Sequence, residues 1–127
     1  MEATVRLPND RRSVRLARGF VGQALSCWSR ERDHSAEELL TSELVTNAIV
    51  HAGCNVEVTV KVADERVCVE VHDDSDRGPA RRRATRLATS GRGMELVEAL
   101  SDDWGVRRIP NDGKVVWFVV DPHRTPR

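Results

Sequence analysis

Apolar residues recur at steps of three and four positions in three segments of the chain, which is the spacing of one face of an α-helix. The segments are roughly residues 11–30, the stretch from Ala36 to a stop at Gly53, and the run from Gly93 through Leu100. Ser35, followed three residues later by Glu38, matches a capping-box pattern that marks the start of the second segment. The pattern therefore predicts three helices.

Elsewhere apolar and polar residues alternate, which is typical of half-buried β-strands. Two valine-rich runs at residues 56–62 and 67–72 flank a short polar turn and predict an antiparallel hairpin. Further strands are predicted at residues 3–7, 102–109 and 115–120. Strands that cluster in sequence with few crossovers indicate an α+β fold. We expect a two-layer α/β sandwich, with a mixed, mostly antiparallel sheet covered on one face by the three helices.

Charge and cysteine content narrow the classes of function. Twenty basic and twenty acidic residues cancel, and the aromatic residues are three Trp and two Phe, which argues against a nucleic-acid-binding surface. No apolar run approaches the roughly 18 residues of a membrane span, and no signal peptide precedes the first strand. Three cysteines without a C-x-x-C spacing favour neither a disulfide framework nor a zinc site. The composition predicts a single domain over residues 1–127, located in the cytoplasm and without a membrane or nucleic-acid partner.

The second predicted helix carries the first candidate site. Glu43, Asn47 and His51 follow each other at four-residue spacing along the border of its apolar face. A carboxylate and an amide at such a border can face a cleft and offer oxygens to a hard cation or to an attacking group. The alternative is an amphipathic helix whose boundary residues are simply polar, and the spacing alone favours that alternative.

Two further candidates follow the predicted hairpin. Asp73 ends the second valine-rich strand, where its carboxylate can accept a hydrogen bond from a heterocyclic amino group, or where it simply starts a turn. Gly91 and Gly93 precede the third helix and can let backbone N–H groups approach an anion, although most such pairs are only turns. Six arginines and no acid lie from Arg77 to Arg92. They form either a solvated segment or a lid whose guanidinium groups meet phosphate or an acidic partner.

In this order the three motifs resemble those of the GHKL (Bergerat-fold) ATP-binding superfamily. Residues 43–53 resemble its asparagine box, residues 69–77 its first glycine box and residues 89–100 its second. The segments that begin at Asp103 and Gly113 are similar to the single-domain actinobacterial branch of the anti-sigma-factor serine kinases of bacterial partner-switching systems. The resemblance thus covers nearly the whole chain and implies a histidine-kinase-like ATP-binding domain.

The resemblance implies a site for ATP and Mg²⁺ and a role for each matching residue. Asn47 would supply its side-chain oxygen to Mg²⁺, Glu43 would be the catalytic residue that orients or deprotonates an attacking hydroxyl, and Asp73 would bind the amino group of adenine. The other implied nucleotide-binding positions are His51, Ser75, Arg77, Gly91, Arg92, Gly93 and Met94. A structural role at the apolar border is the alternative for His51.

The implied activity is phosphorylation of a serine in an anti-sigma-factor antagonist (STAS-type) protein, with homodimerisation common in the family. The alternative is a catalytically idle, nucleotide-dependent module that sequesters a sigma factor or another regulator. Ser75 and Arg77 stand where the first glycine box usually has glycines, and Val115 stands where the final strand usually offers a threonine to the adenine site. A missing hydroxyl costs about 1 kcal/mol, so we expect weak ATP binding.

Overall fold

The computed structural model describes residues 1–28, 33–52, 55–74 and 92–121. In chain order the elements are β1 (Glu2–Leu7), α1 (Arg12–Trp28), α2 (Ser35–Ala52), β2 (Val56–Ala63), β3 (Arg66–Asp73), α3 (Arg92–Leu100), β4 (Asp103–Arg108) and β5 (Lys114–Val120). Each element predicted from the sequence is present, with boundaries within two residues of the expected ones. Local periodicity was therefore sufficient to find these helices and strands.

The five strands form one sheet in the order β1-β2-β3-β5-β4. Every pairing in the described part of the chain is antiparallel, so the expected mostly antiparallel character is confirmed and no parallel pair is present there. The β2–β3 and β4–β5 connections are tight turns, which force antiparallel neighbours. The α+β class and the two-layer arrangement of the sheet and its helices are confirmed.

One face of the sheet packs under the helices. Val58 and Val60 of β2, Val69 of β3 and Phe118 of β5 are fully buried on this face. The helices contribute a matching apolar layer, made by Ala17, Val21, Leu25, Leu40, Leu44, Val45 and Val97. Burial of a side chain of this size contributes about 1.5–3 kcal/mol, so this layer is the main source of stability.

Helix α2 lies between the other two helices. It contacts both α1 and α3, and it also packs on β3 and β5 in the middle of the sheet. Helix α1 contacts β1 and β2 near one edge, whereas α3 contacts β4 at the other edge. The two long sides of α2 therefore face different neighbours. No described helix has both the length and the apolar character that a membrane crossing requires.

The start of α2 differs from the predicted capping box. A capping box requires Glu38 to bond back to the backbone of Ser35, but the backbone N–H of Ser35 donates to Asp33 Oδ1 at 2.9 Å. The carboxylate of Glu38 instead lies against Gly22 of α1 and pairs with Arg18 at 3.7 Å. Asp33 thus bonds to the helix start where Glu38 was expected to, because Glu38 contacts α1, and the helix begins one residue earlier than predicted.

The opposite face of the sheet carries polar cross-strand pairs. The Thr4 and Thr59 hydroxyls are 2.9 Å apart, and Lys61 Nζ is 3.2 Å from Glu70 Oε1. Toward β4 the indole of Trp117 lies over Gly105, its neighbour in the register, and Arg107 Nη2 is 3.8 Å from Glu70 Oε2. The alternation that predicted the hairpin therefore separates a buried face from a largely polar one.

Candidate functional site

Glu43 and Asn47 lie on the side of α2 that is turned away from α1. The side facing α1 is marked by Ser42, which shares a groove with α1, and by Glu38, whose carboxylate lies against Gly22 of α1. At about 100° per residue, Glu43 and Asn47 point well away from both positions. Both side chains are half-buried. Since α2 lies between α1 and α3, the acid and the amide border the α3 side.

Asp73 lies at the end of the sheet near the C-terminal half of α2. It is 2% exposed and is paired in the register with Val56, the first residue of β2. Val56 begins only four residues after α2 ends, and its other neighbour is Leu7 of β1. Two residues beyond Leu7, Asn9 bonds to Ile49 in α2. These links place the carboxylate at the same end of the molecule as the last turns of the helix that carries Asn47.

Asp73 belongs to a row of side chains that crosses the helix-facing side of the sheet. From β1 to β4 the row runs through Leu7, Val56, Asp73, Lys114 and Arg108. Apolar residues therefore flank the acid on one side and cations on the other. A carboxylate buried to this degree requires polar partners, and the row provides a cationic position directly beside it.

The β4–β5 turn is fitted closely against the strand end that carries Asp73. Gly113 has a positive φ of 76°, and a Cβ at this position would lie 1.9 Å from the carbonyl oxygen of Asp73. The Nε2 atom of His72 is 2.7 Å from the carbonyl oxygen of Asp112 in the same turn. Gly113 thus positions Asp73, whereas the sequence pattern had indicated only a turn glycine.

Val115 does not share a face of the sheet with Asp73, the residue expected to bind adenine. Val115 pairs in the register with His72 and lies on the face of the sheet opposite to Asp73, where it is 5% exposed. Lys114 occupies the position beside Asp73. Because side chains alternate between faces, a shift of one residue exchanges the two sides of a strand. No hydroxyl is therefore lost from the Asp73 side at position 115.

The remaining predicted positions are described in part. His51 is in the last turn of α2, and Arg92, Gly93 and Met94 form the first turn of α3, which packs on α2. Ser75, Arg77 and Gly91 lie outside the described residues. The nucleotide-binding roles of all seven residues stay predictions.

The donor set suits Mg²⁺ only when phosphate oxygens complete it. Across the described ranges, no group of three or more His, Cys, Asp or Glu side chains is placed to hold a metal ion. Mg²⁺ commonly takes one or two protein oxygens together with substrate phosphates. The side-chain oxygen of the half-buried Asn47, one turn from Glu43, fits that pattern.

A separate groove of about 770 Å³ runs along the first half of α1 and reaches Ser42 of α2. Its lining includes four arginines: Arg11, Arg12, Arg15 and Arg18. Two of them have acidic partners, because Arg12 Nη2 is 3.0 Å from Asp10 Oδ2 and Arg18 pairs with Glu38. The other two form no ion pair with any residue that the structure describes. This basic groove lies on the opposite side of α2 from Glu43.

The arrangement defines a class of protein: an α+β domain in which one helix carries an acid and an amide one turn apart and packs on an antiparallel sheet with a buried aspartate at a strand end. The histidine kinase-like ATPase domain family matches residues 7–120, which include Glu43, Asn47 and Asp73. The chain belongs to this family. It is therefore an ATP-binding, kinase-like ATPase domain. A search of the curated proteins finds no match to the chain.

Proposed function

We propose that the protein is a Mg·ATP-dependent serine kinase of the anti-sigma-factor type, which phosphorylates an anti-sigma-factor antagonist in a partner-switching system. The observation that carries the proposal is the pair of Glu43 and Asn47, one turn apart on the half-buried border of α2 that faces away from α1. A domain that only binds nucleotide needs the amide as a ligand, but it has no evident need for a carboxylate one turn away.

Each residue has a defined task in this proposal. Asn47 would hold Mg²⁺, which offsets negative charge on the phosphates when it is bound. Asp73 would accept a hydrogen bond from the amino group of adenine. Glu43 would accept the proton of the partner's serine hydroxyl as that oxygen bonds to the γ-phosphorus and the bond to the leaving ADP breaks. Phosphoserine and ADP are the products.

The nucleotide site is tested by ATP titration calorimetry with and without Mg²⁺. Asn47→Ala should lose the Mg²⁺-dependent part of the affinity, a fall of about tenfold or more, since it removes a contact to a charged group. Thr46→Ala is the matched control, because Thr46 is exposed on the same turn and its hydroxyl bonds to the Ser42 carbonyl. Equal Mg²⁺ dependence in the wild type and Asn47→Ala would contradict the assignment.

Catalysis is tested by phosphate transfer from labelled ATP to cognate antagonist domains. Glu43→Gln keeps the shape of the side chain but removes the base, so transfer should slow by about 10²–10⁴-fold while ATP affinity is retained. Glu57→Gln, on the polar face of the sheet, is the control. Absence of transfer to every cognate partner would argue for the second candidate.

That second candidate is a catalytically idle module that captures a sigma factor or another regulator when nucleotide is bound. It is favoured by Ser75 and Arg77, which replace glycines of the first glycine box and restrict the loop's backbone. Under this alternative, Glu43→Ala should leave partner capture unchanged. Loss of capture in that variant would contradict the alternative.

The basic groove on α1 supports a protein partner with an acidic docking segment. Arg11 directly precedes α1 and Arg15 lies in its first turn; both are exposed, so their guanidinium groups can meet partner carboxylates. Reversal of both charges should slow association and reduce its dependence on salt, as measured by surface plasmon resonance. Arg66→Glu/Arg107→Glu changes the net charge equally at other sites and is the control. Equal effects of the two double variants would exclude this groove as the docking surface.

A further inference from the structure

Lys114 is the neighbour of Asp73 on β5, and the two positions share the helix-facing side of the sheet. Directly opposed residues have Cβ atoms about 4.5–5.5 Å apart, and opposite charges in such pairs attract. Asp73 is 2% exposed and Lys114 is half-buried, so this end of the sheet holds an acid and a base in a partly desolvated setting.

The turn before β5 keeps this pair in place. Gly113 packs against the backbone carbonyl of Asp73, and the carbonyl of Asp112 lies 2.7 Å from His72 Nε2. Lys114 follows directly, so its backbone position relative to Asp73 is set by contacts on both strands. The lysine stem is flexible, but its starting point is fixed beside the acid.

Asp73 and Lys114 together offer one hydrogen-bond acceptor and one donor. A carboxylate accepts hydrogen bonds, whereas an ammonium group only donates them. The edge of adenine carries an amino donor at C6 and an acceptor at ring nitrogen N1. Guanine carries the reverse: a carbonyl acceptor at C6 and an N–H donor at N1. The acid–base pair therefore complements adenine and opposes guanine.

We propose that Lys114 is a specificity-determining residue of the nucleotide site, which donates a hydrogen bond to N1 of adenine while Asp73 accepts one from the amino group. The assignment rests on the proposed ATP site and on the register between β3 and β5. It also gives the charge beside the aspartate a chemical role, because this cation contributes a second contact to the base.

A cycle that combines protein variants with nucleotide analogues tests the contact. In 1-deaza-ATP a C–H replaces N1, so the wild type should bind this analogue about tenfold or more weakly than ATP. Lys114→Met should bind ATP and 1-deaza-ATP equally, and it should also discriminate less against GTP. A merely structural lysine would lower the affinity for ATP and for the analogue by the same factor, and that result would overturn the assignment.

Two variants serve as controls. Lys61 is the other lysine of the chain and pairs with Glu70 on the opposite face of the sheet, so Lys61→Met should keep the full preference for ATP over 1-deaza-ATP. Arg108 lies in the same row as Asp73 but one strand beyond Lys114, so Arg108→Met should keep it as well. Loss of the preference in either control would also overturn the assignment.

A measurement on the unsubstituted protein covers the case in which Lys114→Met does not fold. Reductive methylation with ¹³C-formaldehyde labels the two lysines and the terminal amine and keeps their charge. Addition of Mg·ATP should shift the Lys114 methyl signal but leave the Lys61 signal in place. Bound ATP without a Lys114 shift would refute this inference and leave the proposed function standing. Absence of ATP binding in the wild type would refute both.

Discussion

Gly113 joins the β4–β5 turn to the strand end that carries Asp73, and Gly113→Ala tests whether this contact organises the site. The backbone of Gly113 has φ of 76°, and an added Cβ would meet the Asp73 carbonyl oxygen at 1.9 Å and the Asp74 Cα at 2.7 Å. Both are backbone atoms, so neither can move aside as the end of a flexible side chain would. The two strands must separate or the turn must be rebuilt.

The magnitude follows from two costs. A left-handed backbone costs an alanine about 1–2 kcal/mol relative to glycine. Non-bonded carbon and oxygen atoms lie about 3.3 Å apart, so relief of the clash requires a backbone shift of more than about 1 Å. Such shifts cost about 1–3 kcal/mol. The sum, about 2–5 kcal/mol, is a large part of the 5–15 kcal/mol typical of a folded domain. The melting temperature should fall by roughly 10 °C.

Urea unfolding followed by tryptophan fluorescence gives the free energy directly, and ATP titration of the folded variant reports on Asp73. The matched control is Gly19→Ala, because Gly19 lies within α1 with no atom within 4 Å of an added Cβ. Alanine has a higher helix propensity, so this control should stabilise the protein by about 0.5–1 kcal/mol. A Gly113→Ala variant within about 0.5 kcal/mol of the wild type would refute the reasoning, as would equal losses in the two variants.

Three further predictions concern single side chains. Val115→Thr should leave ATP affinity unchanged, because position 115 faces away from Asp73, and tighter ATP binding would contradict the register. The same variant should lower the free energy of unfolding by about 1 kcal/mol, because it buries a hydroxyl. Hydrogen bonds from Arg12 lower the pKa of Asp10 to about 2. The Asp10 carboxylate therefore contributes fully to folding stability above about pH 4, and this contribution is lost as the pH falls from about 4 to 2. Unfolding free energies of the wild type and Asp10→Asn should therefore differ at pH 5 and converge near pH 2, and a constant difference would exclude this linkage. Burial raises the pKa of the Cys68 thiol, so iodoacetamide at pH 8 should alkylate Cys68 more slowly than the exposed Cys27. Peptide mass mapping measures both rates, and equal rates would contradict the placement of Cys68.

The sequence alone determined the secondary structure and the motifs of the candidate site. Alternation from Val56 onward and helical spacing from Val14 onward depend only on neighbours a few residues away, so they can be recognised without a fold. The four-residue step from Glu43 to Asn47 is equally local, because one helical turn places both on one side of α2. The resemblance to ATP-binding proteins depended on these local motifs, and the family match confirmed it.

The tertiary structure alone decided which residues meet across elements. The family resemblance set Val115 beside the expected adenine site, but in the register of β5 with β3 the residue beside Asp73 is Lys114, one residue earlier. The groove lined by Arg11 and Arg15 likewise exists only because α1 packs beside α2. Periodicity fixes which residues of a strand share a face, but it cannot say which residue of another strand lies opposite. The opposing residue is set by hydrogen bonds and packing between segments distant in the chain. For Asp73, the contact of Gly113 with its backbone carbonyl helps to set the register with β5.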